Sequence, residues 1–264
     1  MTEPGGQPPV LYEVVDGVAV ISFNRPHRHN AMTDESSALF HEHLMRARDD
    51  RDVRVILVRG EGPSFCSGRD TASLGVRATG LSDFEHLSRS LQRKLSLRDI
   101  QKPVIAAVHG HAVGGGFEIA LSCDIRVVAT DARLSLPEIN WGIMTDSGGS
   151  VVTTALAGPG RAKYLLMTGE AISGRQAHEW GLADFVTSPE ELDEVARGLA
   201  HTIAARPPIN VAFAKQLVDA VHGEVVRQGL RNELVALTAI YQTDDYREAR
   251  AARREGRVPR FHSR

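Results

Sequence analysis

The sequence is short of cysteine, of charge of one sign and of long apolar runs, and each shortage removes a class of protein. Two cysteines, Cys66 and Cys123, cannot form a disulfide framework and have no metal-ligand spacing. Both stand in apolar or glycine-rich surroundings, which predicts buried free thiols in a reducing compartment. His27, His29, His109 and His111 lack metal spacing as well, so no metal site is expected and these rings read as structural or exposed. No stretch reaches about 18 apolar residues, so no membrane-spanning helix is expected. Residues 1–9 are polar and rich in glycine and proline; they lack the order of a signal peptide and read as the frayed terminus of a cytoplasmic protein. The formal net charge of −2 offers no basic excess for a nucleic-acid partner. Arginines 247, 250, 253, 254, 257 and 260 do gather, but Glu248 and Glu255 interrupt them, as on a solvated helix face.

What is present is the composition of a packed α/β protein: 264 residues, 42% hydrophobic and 24% charged. Residues 10–23 alternate in polarity around Asp16-Gly17, a pair suited to a type I′ turn, and predict a β-hairpin. Thr33 opens a helix to about Asp49, with Asp34 and Glu35 in its first turn. Buried strands are predicted over 53–58, 103–108 and 125–129, a loop over 60–80, and helices over 82–99 and from 114 to 121. Strands alternating with helices imply β-β-α units with largely parallel sheets. Beyond about Glu190 only helices are expected, over 189–205, 208–221, 223–241 and 244–254. The organisation is therefore an α/β core at 1–187 and a helical segment at 188–264. An apolar stripe in that segment, Leu230, Leu234, Leu237, Ile240 and Tyr241, must bury against a partner subunit or against its own core.

Three segments carry chemistry. The run from His109 to Glu118 follows a buried strand and opens a helix, and contains Gly114-Gly115-Gly116. Glycines there let a ligand approach main-chain N–H groups at a helix N-terminus, where partial positive charge suits an oxyanion or a phosphate. The bland alternative is a tight turn with no ligand, and the run has neither a dinucleotide fingerprint nor a P-loop pattern. Ser64 to Asp70 ends a second buried strand with Ser67-Gly68-Arg69, and two such loops can converge on one oxygen. Third, Leu136-Pro137-Glu138 ends a short strand before a glycine-rich run from Gly142 to Gly149. Glu118 and Glu138 cannot share a helix face, so only a helix start laid against a strand end can pair them. The bland readings are a helix-start cap for Glu118 and a surface salt bridge for Glu138.

Together with Asn24-Arg25-Pro26, Asn30-Ala31, Leu166-Met167-Thr168-Gly169 and Trp180-Gly181-Leu182, these segments resemble the enoyl-CoA hydratase/isomerase (crotonase) superfamily over nearly the whole chain. The resemblance implies a spiral of β-β-α units with a helical C-terminal trimerisation segment, acyl-CoA substrates, and a homotrimer or dimer of trimers. No cofactor is implied, since coenzyme A belongs to the substrate. It places the oxyanion-hole amides on Arg69 and Gly115 and the catalytic carboxylates on Glu118 and Glu138. Glu118 would orient and deprotonate water, and Glu138 would transfer the proton at Cα. Arg28, Ala31, Ser67, Gly68, Asp70 and Gly114 fall at substrate-binding positions. The Arg69 guanidinium is expected to reach solvent or the CoA phosphates.

The loop ending Asp146-Ser147-Gly148-Gly149 departs from the Pro-Gly pair of many hydratases and is similar to the carnitinyl-CoA dehydratase branch. Asp146 reads as an N-cap for a helix starting near Gly148, or else as a third carboxylate in the acyl pocket. The function implied is addition or removal of water at an α,β-unsaturated acyl-CoA. The alternatives are an isomerase, a dehydratase or racemase for a polar acyl group, a thioester hydrolase, or a non-catalytic CoA- or RNA-binding protein.

Overall fold

A computed structural model of the chain describes residues 6–73, 80 and 82–262. The first five residues of the expected frayed terminus, and residues 74–79 of the expected loop, lie outside the described residues. Strands β1 (Val10–Val15) and β2 (Val18–Phe23) form the hairpin. Asp16 and Gly17 both have positive φ, 49° and 79°, as a type I′ turn requires. Helix α1 (Asp34–Asp49) starts at a capping box in which the Thr33 side chain accepts from the Ser36 N–H and the Ser36 hydroxyl from the Thr33 N–H. Strand β3 (Val55–Gly60) and helix α2 (Asp83–Arg98) follow, the latter behind a Ser82–Glu85 capping box.

The chain then repeats a strand–strand–helix pattern. Strands β4 (Val104–Val108) and β5 (His111–Val113) lead into α3 (Gly115–Ser122). Strands β6 (Ile125–Ala129) and β7 (Arg133–Ser135) lead through a 3-10 turn, Pro137–Trp141, into α4 (Gly149–Ala157). Next come α5 (Pro159–Thr168), β8 (Ile172–Ser173), α6 (Gly174–Glu179) and β9 (Phe185–Thr187). The last elements are α7 (Leu192–Ala204), α8 (Pro208–Ile240) and α9 (Asp244–Glu255).

Two sheets result. The larger runs β1-β2-β3-β4-β6-β9 and is parallel except for the hairpin; the smaller runs β5-β7-β8. Strands β2, β3 and β4 are buried almost throughout, which matches their near-continuous apolar sequence. Isolated bridges, Met32 with Arg69 and Cys66 with Ala112, continue the smaller layer into both glycine loops. Both cysteines are free and buried, and burial pushes each thiol up to about 12. Among the described residues no helix is long and apolar enough to cross a membrane.

Helix α8 corrects the sequence-based expectation of two helices broken near residue 222. Gly223 interrupts the helical propensity, yet it costs only about 1 kcal/mol against alanine, too little to end a helix anchored elsewhere. A Cβ added there meets nothing within 4 Å. Gly223→Ala is therefore expected to raise stability by about 0.5–1 kcal/mol, read as a rise in Tm of roughly 2 °C. The stripe of Leu230, Leu234 and Leu237 is buried within its own chain, because α8 packs on α2 and α4. Helix α9 packs on the 3-10 turn, and the arginines there are partly spoken for: Arg257 pairs with Glu248 and Glu255, and Arg253 lies over the Trp141 ring.

Candidate active site

The pairing of β5 with β7 solves the problem of joining Glu118 to Glu138. Val113 is in register with Ser135, and the Gly114 N–H donates to the Ser135 carbonyl at 2.9 Å. The first turn of α3, carrying Glu118, thereby lies beside the 3-10 turn that follows β7 and carries Glu138. A Cβ added at Gly114 would stand 2.7 Å from Glu138 Oε1. Gly114 has φ +52° and ψ −124°, a conformation open to glycine and strained for any other residue. Gly114→Ala is expected to cost about 1–3 kcal/mol in stability and to push the Glu138 carboxylate aside. Activity should fall further than the Tm shift accounts for.

The other loop comes equally close. Gly68 has φ +83°, and a Cβ there would meet the Val113 carbonyl at 2.5 Å and the Gly115 nitrogen at 3.3 Å. The Met32 N–H donates to the Gly68 carbonyl and the Asp70 N–H to the Met32 carbonyl, which turns the intervening Arg69 N–H the other way. Gly115 is the first residue of α3, where a helix N–H has no partner within the helix. Among the described residues, no protein acceptor takes the N–H of Arg69 or of Gly115. Two amide donors, one of them at a helix N-terminus, are thus left for a ligand.

All eleven site residues read from the sequence line one cleft of about 650 Å³: Arg28, Ala31, Ser67, Gly68, Arg69, Asp70, Gly114, Gly115, Glu118, Glu138 and Asp146. Glu118 is buried to 1% exposure, and its Oε1 accepts the N–H groups of Ser147 at 2.8 Å and Gly149 at 2.9 Å. It holds the start of α4, not its own helix. The Asp70 carboxylate is bound by Arg25 Nη1 at 3.0 Å and by the Ala72 N–H at 3.1 Å. Burial raises its pKa, but the bond and charge of Arg25 and the Ala72 amide outweigh that and hold it below its ordinary value.

The Arg69 guanidinium stays partly open to solvent and pairs with Asp34 at 2.7 Å, because the Met32–Arg69 bridge sets it beside the first residue of α1. One expectation is corrected. Asp146 does not cap α4. The cap position is Gly148, with no side-chain cap, and the orphan amides there go to two glutamates instead. Asp146 lines the cleft and accepts from the Ser147 hydroxyl at 3.0 Å. Of the histidines read as structural or exposed, His29 bonds Ser64 and His109 the Gly62 carbonyl, while His27 and His29 also line the cleft.

Sequence reasoning missed Glu233. This α8 residue, 2% exposed, accepts from the Thr145 hydroxyl, from the N–H groups of Gly148 and Ser150, each at 2.8 Å, and from the Ser150 hydroxyl. Glu118 takes the amides of 147 and 149, Glu233 those of 148 and 150, so two acids clamp one helix start. The signal was a glutamate inside the apolar stripe, three residues after Leu230 and four before Leu237. Leu87, Trp141, Ile143 and Met144 were also not read as part of the site; with Leu237 and Tyr241, from the C-terminal segment expected to line it, they form an apolar wall.

A spiral of strand–strand–helix units with two glycine loops meeting at the end of the strands is the crotonase fold. A solved enoyl-CoA hydratase/isomerase from Pseudoalteromonas atlantica T6c shares it, with a TM-score of 0.87 and 25% identity over 96% of this chain and 100% of that one. The enoyl-CoA hydratase/isomerase family profile matches residues 13–264, and this chain belongs to that family of enzymes. Among its relatives, an (E)-benzylidenesuccinyl-CoA hydratase from Thauera aromatica is 33% identical over 96% of this chain and 98% of its own length. A carnitinyl-CoA dehydratase from Proteus mirabilis (strain HI4320) is 33% identical over 94% and 95%.

Proposed function

We propose that this enzyme adds water to, or removes it from, the α,β double bond of an acyl-CoA. The thioester oxygen sits between the Arg69 and Gly115 amides. Attack of water at Cβ builds negative charge on that oxygen, and each preorganised N–H lowers the barrier by about 3 kcal/mol. Glu118 orients and deprotonates the water; Glu138 delivers or removes the proton at Cα. Arg28, Ala31 and Ser67 belong to the coenzyme A side of the cleft, and coenzyme A, part of the substrate, is the only cofactor in this reading. The observation that carries it is the pair of glutamates in one cleft with two uncommitted main-chain donors.

The test is turnover of a panel of enoyl-CoA thioesters, simple and polar-ended, followed by loss of conjugated absorbance and by product mass. Gain of one water is expected. Unchanged mass with a moved double bond would turn the assignment to an isomerase, a reading that Asp146, as a third carboxylate in the cleft, favours. No turnover with any thioester would overturn both.

The division into a core at 1–187 and an oligomerising segment at 188–264 belongs to the same proposal. Ile209, Phe213, Leu217, Val221 and Val225 recur every four residues along α8 and are 69%, 59%, 71%, 70% and 63% exposed. Such a stripe is covered in solution by further copies of the chain. A homotrimer or dimer of trimers is expected by analytical ultracentrifugation, and a monomer at micromolar concentration would refute it.

A further inference from the structure

A second cavity, of about 370 Å³, lies beside the cleft between α1, α2 and α3. It shares Met32, Arg69, Gly115, Glu118 and Ser147 with the cleft, so the two meet at an oxyanion amide and the first glutamate. Phe40, Leu44 and Leu97 give it an apolar lining, as an acyl chain needs. A plain hydrocarbon chain has no use for its other side. There Arg89 and Arg93 of α2, one helical turn apart, line the same space.

Two acids, Asp34 and Glu118, line the same cavity, and each has a partner. Asp34 pairs with Arg69 at 2.7 Å, and Glu118 holds the amides at the start of α4. Glu85, one turn before Arg89, has its carboxylate bound by the Ser82 N–H at 2.9 Å and the Ser82 hydroxyl at 2.8 Å, and it also feels the positive charge of Arg89. Arg89 and Arg93 both present their side chains at the surface of α2. His41, which also lines the cavity, bonds Ser96 through Nδ1 at 3.1 Å and carries no negative charge to offset them.

Two guanidinium groups at this spacing suit a carboxylate, which each can bind through paired N–H donors. Resting on the acyl-CoA reading above, we propose that this cavity receives an acyl chain ending in a carboxylate. The preferred substrates are then mono-CoA thioesters of unsaturated dicarboxylic acids, with Arg89 and Arg93 as the specificity-determining residues. Both arginines are exposed, so the bound anion keeps part of its water and the gain is moderate, on the order of tenfold in affinity.

The test compares adipoyl-CoA with hexanoyl-CoA, which differ only at the far end of the acyl chain, by calorimetric titration of the intact protein. Adipoyl-CoA is expected to bind about tenfold tighter, with an advantage that shrinks as salt is added. The Arg89→Gln/Arg93→Gln variant should bring the two affinities together, and Arg89→Lys/Arg93→Lys should restore part of the difference, since lysine keeps the charge but not the paired donors. Equal affinities, or tighter binding of hexanoyl-CoA, in the unaltered protein would overturn the proposal and leave the CoA site standing. Failure of both to bind would overturn the acyl-CoA reading itself. Because the unaltered protein decides the matter, a variant that fails to fold does not obscure it.

Discussion

Glu138→Gln is expected to lower kcat for the best thioester substrate by about 10²–10⁴-fold, the usual worth of a positioned acid or base. The amide keeps the size and polarity of the side chain on the 3-10 turn, so the fold and Tm should hold, but it cannot exchange a proton with Cα. Glu118→Gln should lose activity on the same scale. Its remaining carbonyl oxygen can still accept the Ser147 and Gly149 amides that Oε1 now binds, so α4 stays anchored. The double variant should lose much less than the product of the two single losses, since both groups serve one reaction. Full activity in either variant, with folding verified, would remove that glutamate from the chemistry.

Glu233→Ala carries the largest expected effect on stability. The carboxylate satisfies a buried and a half-buried backbone amide and two hydroxyls at the start of α4, and alanine leaves them without this partner. The cost is on the order of 3 kcal/mol or more, a fall in Tm of roughly 6–12 °C for a chain of this size. Activity well below the melting range should fall too, because the same turn supplies the amides that hold Glu118. Glu233→Gln should be intermediate. Its oxygen accepts on one side, while its NH₂ faces a donor on the other. An unchanged Tm in the alanine variant would show that the turn finds other partners.

The sequence by itself determined the elements that carry strong local signals, and the identity of the chemical groups. Asp16-Gly17, Thr33, the apolar strands and the three consecutive glycines are local signals: a turn needs positive φ, a helix needs a capping oxygen, a buried strand needs apolar residues on both faces. Those requirements are met within a few residues of one another, so they can be read in order along the chain. Family resemblance then put Glu118, Glu138, Arg69 and Gly115 in one site before any geometry was known.

Only the tertiary structure decided where partners distant in sequence meet. Glu233 lies 83 residues beyond Ser150 in the chain, and Asp34 lies 35 before Arg69, so no local pattern links them. Helix α8 illustrates the difference: the glycine at 223 weakens a local preference, while packing on α2 and α4, set by residues far away, keeps the helix whole. Asp146 has a side chain suited to capping, yet two remote glutamates bind the orphan amides of α4 and leave it facing the cleft. Such choices depend on which groups the folded chain brings within hydrogen-bond reach, and that distance is fixed only when the layers close.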